Sequence, residues 1–232
     1  MKKSLILGPF VALALFAAAA ISGGLAPGGA TSEAATGDPV VLVHGWNGSA
    51  SSMATLKANF EASGRQAFSL TLPGQNNVTN AQTLATFIAS VKAQTGASKV
   101  DLVAHSMGGL STRYYLKNLG GTANVAQYVS LGSPHYGLTL ACFLGTNSGG
   151  QMCPFNSFLT SLNSGDDTPG SLLYTTIYST DDGLVPTSSS RLDGGACYEQ
   201  VSGVSHTQLT QNSSVFLLVL AAVDGTCYGV FK

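Results

Sequence analysis

Charge is scarce in this 232-residue chain: Asp, Glu, Lys and Arg together make up 9% of it. Past residue 30, eight Lys and Arg stand against eleven Asp and Glu with no basic patch or stripe, so nucleic acid is not an expected partner. No cysteine precedes Cys142, so a lipid anchor on an N-terminal cysteine is not expected. The four cysteines form no CxxC pair and no cysteine-to-histidine spacing of the kind that binds zinc, so neither a metal nor another cofactor is expected. Histidine is equally sparse at four residues, which leaves few sources for any chemistry that needs an imidazole. Internal repeats and low-complexity linkers are missing too.

The N-terminus does carry a pattern. Lys2 and Lys3 precede an apolar stretch from Ser4 to Ile21 and then small residues, which reads as a signal peptide over 1–30 and therefore as a secreted, extracellular product. A membrane helix is the competing reading, because Leu5 to Ala20 approaches the roughly 20 apolar residues a span requires. Cleavage after Ala30 is preferred to cleavage after Ala26, which would set Pro27 against the cut. Residues 31–38 read as a flexible leader and 39–232 as a single domain, a length that buries one sizeable core. In an exported chain an even cysteine count reads as disulfides. Three pairings are possible; Cys142 with Cys153, which bracket a Gly- and Asn-containing loop, and Cys197 with Cys227, which ties down the last element, are favoured.

Val40 to Val43 is a short apolar run ending in His-Gly, the mark of a strand buried on both faces. Strands are also predicted over Gln66–Leu72, Val100–Ala104, Val125–Leu131, Leu173–Tyr178 and Cys197–Gly203, with helices over Ser51–Ser63, Thr79–Thr95, Met107–Leu119 and Ser214–Val223. The alternation implies an α/β fold: a mostly parallel central sheet with helices on both faces. Tyr136 to Leu172 breaks the rhythm as a long irregular loop, and loops of that length have a function or special bracing.

Within this frame, VDLVAHSMGG (Val100 to Gly109) is a buried strand that turns directly into a helix around Ser106. Such a turn strains its central residue and lifts the hydroxyl clear of the sheet, and it needs small neighbours, a need Gly108 meets. Ala104 stands where the usual pattern has glycine, and a plain helix-capping serine is the competing reading. His44 to Gly48 follows the first strand past the same place, so the N–H groups of Trp46 and Met107 are candidate donors to an oxyanion. A serine hydroxyl needs a base. His206, in the loop between the last predicted strand and the final helix, holds the expected position; His44 and His105 read as structural, and His135 as part of the site's wall. Asp182 is the preferred acid over Asp181, and Asp166, Asp167 and Asp193 read as solvated turn residues.

With PVVLVHG, KVDLVAHSMGG, YTTIYSTDDGLVP, SRLDG and GVSHTQL in view, the chain resembles the small secreted bacterial lipases of the Bacillus lipase A type, class 2 lipases of the α/β-hydrolase superfamily. Those lipases also carry alanine at the head of the serine turn. The resemblance implies a minimal α/β-hydrolase fold, a Ser106, Asp182 and His206 triad, oxyanion donors at Trp46 and Met107, and metal-free hydrolysis of acylglycerols and other carboxylic esters. A monomer that meets lipid only transiently is expected. Trp46 departs from the family's smaller apolar residue, and it is expected to line the acyl pocket. The segment from Leu138 to Leu172 is longer than in the family and stands where a lid could form. A polyesterase or cutinase-like enzyme and a catalytically silent binding module are the alternatives.

Overall fold

The computed structural model describes residues 37–232, so the expected signal peptide and most of the expected leader lie outside the described residues. Seven strands form one sheet in the order β2-β1-β3-β4-β5-β6-β7. They are β1 Val40–Val43, β2 Ala67–Leu70, β3 Val100–His105, β4 Val125–Leu131, β5 Leu173–Ser179, β6 Ala196–Val201 and β7 Val230–Phe231. The first six are parallel and β7 adds antiparallel to β6.

Each strand residue faces one side of the sheet and the next faces the other, and with both faces covered β1 runs Val40 to Val43 without a polar break. Val41 and Val43 pack with Leu84, Ile88, Tyr115 and Leu116 of helices α2 (Asn77–Thr95) and α3 (Gly108–Asn118). Val40 and Leu42 pack the other way, with Leu56, Phe60, Val215 and Val219 of α1 (Ala54–Ala62) and α6 (Ser213–Val223). Helices therefore cover both faces. The strand order reverses direction between β1 and β3, and in open α/β sheets the crevice at the carboxyl ends of such a pair is where ligands bind. Ser106 and Trp46 both leave the sheet there.

Several details depart from the sequence pattern. The first helix opens with a 3-10 turn at Ala50–Met53, and α2 starts two residues earlier than predicted because Asn76 accepts the N–H groups of Val78 and Thr79. The long loop is partly structured, with 3-10 turns and two short helices nearby, α4 (Ser157–Leu162) within it and α5 (Thr187–Ser190) after β5. The last element is β7 rather than a helix; the Glu199 carboxylate accepts the N–H groups of Tyr228 and Gly229 and draws the C-terminus onto β6. Both favoured cysteine pairings are present, Cys142–Cys153 and Cys197–Cys227. Among the described residues no helix is long and apolar enough to cross a membrane.

Candidate active site

Ser106 sits between β3 and α3 with φ of +54°, a left-handed backbone that among the described non-glycine residues only Asn47 shares. A serine holds that conformation against roughly 1–3 kcal/mol of strain, so the surroundings must enforce it. The Ser106 N–H is held by the Leu131 carbonyl at 2.9 Å, and the helix starts at once as Gly109 N–H reaches the Ser106 carbonyl at 3.0 Å. The turn after β1 presses on this bend. A Cβ on Gly45 would lie 2.6 Å from the Ser106 Cβ, and one on Gly108 would lie 2.4 Å from the His44 carbonyl, so both glycines are demanded by close approach.

The N–H groups of Asn47 and Gly48 are engaged by the Gln75 side chain and the Gly45 carbonyl. Among the described residues no protein acceptor meets those of Trp46 and Met107, the two expected oxyanion donors. His44 stiffens the turn. Its Nδ1–H donates to the Gly45 carbonyl at 2.8 Å while its Nε2 accepts the Leu72 N–H at 2.9 Å, a pattern only the neutral ring satisfies, and burial pushes its pKa down.

Asp182 and His206 meet across the ends of β5 and β6. The His206 Nδ1–H donates to Asp182 Oδ2 at 2.8 Å, and the His206 backbone N–H donates to the Asp182 carbonyl at 2.9 Å. The other carboxylate oxygen accepts the N–H groups of Leu184 and Val185, as the turn Gly183-Leu-Val-Pro wraps around it. Burial raises the Asp182 pKa, but hydrogen bonds from His206, Val185 and Leu184 and the His206 charge outweigh it and leave the group below its ordinary value. Asp181, the rejected alternative, is exposed and binds the Gly203 N–H and the Thr180 hydroxyl, which lowers its pKa and holds the turn.

Ser106 and His206 line one cleft of about 410 Å³ together with Gly45, Trp46, His105 and Leu184. They are not hydrogen-bonded to each other; in ligand-free hydrolase sites that contact tightens when substrate binds. With Nδ1 protonated and bound to Asp182, the free lone pair of the His206 ring is on Nε2. His105 supports this ring from the side: its Nε2–H donates to the His206 carbonyl at 2.9 Å and the two rings lie 4.6 Å apart. Burial, with the adjacent His206, lowers the His105 pKa to about 4 and keeps it neutral.

Two sequence expectations are corrected here. His135 does not line the cleft: it is fully buried, because its ring turns back to β4 and bonds the Ser130 hydroxyl at 3.0 Å. Asp167 is not a solvated turn residue. It accepts the Tyr136 hydroxyl at 2.9 Å and is buried against Arg113 of α3 at 2.8 Å, a partner 54 positions away that no local pattern announces. A contributor the sequence reading missed is Gly132. Its φ is +54° and a Cβ there would lie 2.8 Å from Asp182 Oδ2, so it makes room for the acid and imidazole. The signal was available, since glycine directly after a buried strand marks a tight turn or a close approach.

A sheet with its strand order reversing at the serine bend, and with an acid and a histidine delivered by later strands, defines an α/β-hydrolase. Known structures agree: the mature Bacillus licheniformis lipase BlEst2 superposes with a TM-score of 0.73 at 20% identity, over 81% of this chain and 92% of that one. Aspergillus fumigatus lipase B gives 0.74 at 20% identity, over 87% and 56%. The family model for class 2 lipases matches residues 37–218, and the chain belongs to that family. Triacylglycerol lipases from Pseudarthrobacter phenanthrenivorans and Burkholderia plantarii are each 32% identical to it over 126 residues, half of this chain. The chain spans 39% and 34% of those two relatives.

Proposed function

We propose that the protein is a secreted, monomeric serine esterase of the lipase type that hydrolyses carboxylic esters such as triacylglycerols in one catalytic domain, residues 39–232. Ser106 is the nucleophile, His206 the base and Asp182 the acid that holds the base. The observation that carries this reading is the joint lining of one cleft by a strained Ser106 and by a His206 whose Nδ1–H is committed to Asp182. Family membership and triacylglycerol lipase relatives support the substrate class.

In the reaction, Nε2 of His206 takes the Ser106 proton as Oγ adds to the ester carbonyl. The carbonyl oxygen becomes an oxyanion that accepts the N–H groups of Trp46 and Met107, each worth about 3 kcal/mol in such a site. His206, now protonated and steadied by Asp182, gives its proton to the departing alkoxide; the C–O bond to the alcohol breaks and an acyl-Ser106 ester remains. Water then repeats the cycle, delivering its proton to His206 and its oxygen to the acyl carbon, which frees the acid and restores the serine. No step calls for a metal or cofactor.

The test is turnover of p-nitrophenyl butyrate and of emulsified tributyrin by the purified full chain and by its Ser106→Ala variant. Both substrates are cleaved by the parent and neither by the variant on this reading. Equal rates from the two proteins would overturn it.

A further inference from the structure

From residue 118 to residue 165 the chain contains no Asp, Glu, Lys or Arg. Within this stretch the segment around the Cys142–Cys153 disulfide turns large apolar side chains outward: Phe143, inside the closed loop, is 87% exposed, and Phe155 and Leu140, on its two flanks, are 85% and 72% exposed. At about 200 Å² per aromatic side chain, the two phenylalanines alone present roughly 300 Å² of apolar surface, and exposed patches of that order mark interaction sites.

The loop is braced in this orientation. Besides the disulfide, Gln151 accepts the Asn77 backbone N–H at 2.6 Å, and Ala141 and Met152 are buried against Met107 and Leu110, so the inward positions are filled. The segment also reaches the cleft mouth. The Trp46 indole N–H donates to the Ser148 carbonyl at 2.8 Å, and both Trp46 and Leu144 close on Gly149, where a Cβ would lie 2.7 Å from one and 3.1 Å from the other. Trp46, half exposed, lines the cleft that holds Ser106.

We propose that this disulfide-braced segment, residues 140–155, seats the protein on an uncharged lipid–water interface, with Phe143 and Phe155 inserted and the Ser106 cleft opening beside them. The inference rests on the lipase reading given above and adds the surface that would meet the substrate. A lipid phase asks only for apolar side chains without unpaired charges. Complementary charges fix the register of a protein partner, and residues 118–165 contain no formal charge to offer. The same lack of Lys and Arg removes any attraction to anionic headgroups.

Adsorption is measured without turnover by using the full chain with Ser106→Ala and following its flotation with triolein emulsion and phosphatidylcholine vesicles. The expected result is binding that is unchanged by salt or by added phosphatidylserine, and that falls by about tenfold or more in a Phe143→Ser, Phe155→Ser variant. In the active chain the same two changes should lower emulsified-ester turnover by a similar factor and leave a dissolved short ester within about twofold. A Phe143→Trp variant gives a second readout, a blue shift of its added fluorescence on vesicles. Equal partitioning with and without the Phe143→Ser, Phe155→Ser changes, no binding by the parent, or no blue shift would overturn the proposal. So would a concentration-dependent dimer of the parent that those two changes abolish while neither protein binds lipid. A chain that adsorbs yet cleaves no ester contradicts the reaction and leaves the docking surface standing; one that cleaves dissolved ester without adsorbing contradicts the surface alone.

Discussion

The turns at the carboxyl ends of β1, β3, β5 and β6 and the segment from 138 to 172 lie side by side, yet different forces hold them. The turns are fixed by main-chain hydrogen bonds and by glycines where backbones touch, as at Gly45 against Ser106 and Gly132 against Asp182. The segment is fixed by side chains: the Cys142–Cys153 bond within it, and from farther along the chain the buried Arg113–Asp167 pair and Lys117 Nζ donating to the Leu162 and Ser164 carbonyls. The first arrangement stores strain at one residue for chemistry. The second spreads fastening over many residues, so substitutions in it should change stability before they change the reaction.

The largest effect should come from Ser106→Gly, which removes the hydroxyl and suits a positive φ. Ester turnover is expected to fall on the order of 10⁵-fold while stability holds or rises by about 1 kcal/mol, checked by p-nitrophenyl butyrate kinetics and thermal melting. A variant that kept activity, or lost its fold, would erase the contrast between the regions. Next is Asp182→Asn, which abolishes the acceptor that orients His206 Nδ1–H; kcat should fall roughly 10⁴-fold with KM changed little. An unaltered kcat would move the acid to another residue.

Arg113→Met tests the other region. It leaves the Asp167 carboxylate buried with only the Tyr136 hydroxyl, and should cost about 3–5 kcal/mol of stability, a melting temperature lower by about 10 °C. Dissolved-ester kcat measured well below that temperature should stay within about threefold of the parent, and Asp167→Leu added to Arg113→Met should recover most of the loss. A collapse of kcat without a change in melting would show that the segment's fastening serves the chemistry directly. The smallest effect is expected from Gly132→Ala, whose methyl strains the backbone and pushes on Asp182 and Leu209. About a 10²-fold drop in kcat/KM is expected, with a raised sensitivity to the leaving group's pKa as proton delivery by His206 worsens.

The same division explains what could be read from residues alone. Strand–turn–helix geometry restricts which residue types fit, so the Ser106 bend, the Trp46 turn and the Asp182 and His206 positions stood out from spacing and flanking residues. The sheet's six parallel strands followed from alternation of apolar runs and helices, and both disulfides from loop brackets. What could not be read was long-range or side-chain driven. Asp167 looks like any aspartate in a Gly- and Ser-rich loop until Arg113 is seen beside it, and His135 looks like a cleft residue until its buried ring is found against Ser130 of the central strand β4. Helix α4 is too short to show a period, and β7 exists because Glu199 captures two backbone N–H groups, a tertiary event without a local signature.

The central claim is that one hydroxyl, on Ser106, carries the acyl group. The direct measurement is labelling of the purified chain with an alkyl p-nitrophenyl phosphonate, followed by peptide mass mapping and by the release of p-nitrophenol. One equivalent released, activity lost in step with it, and the adduct found on Ser106 are the results expected. Hydrolysis that continues after full modification of Ser106, or an adduct on a different side chain, would contradict the account.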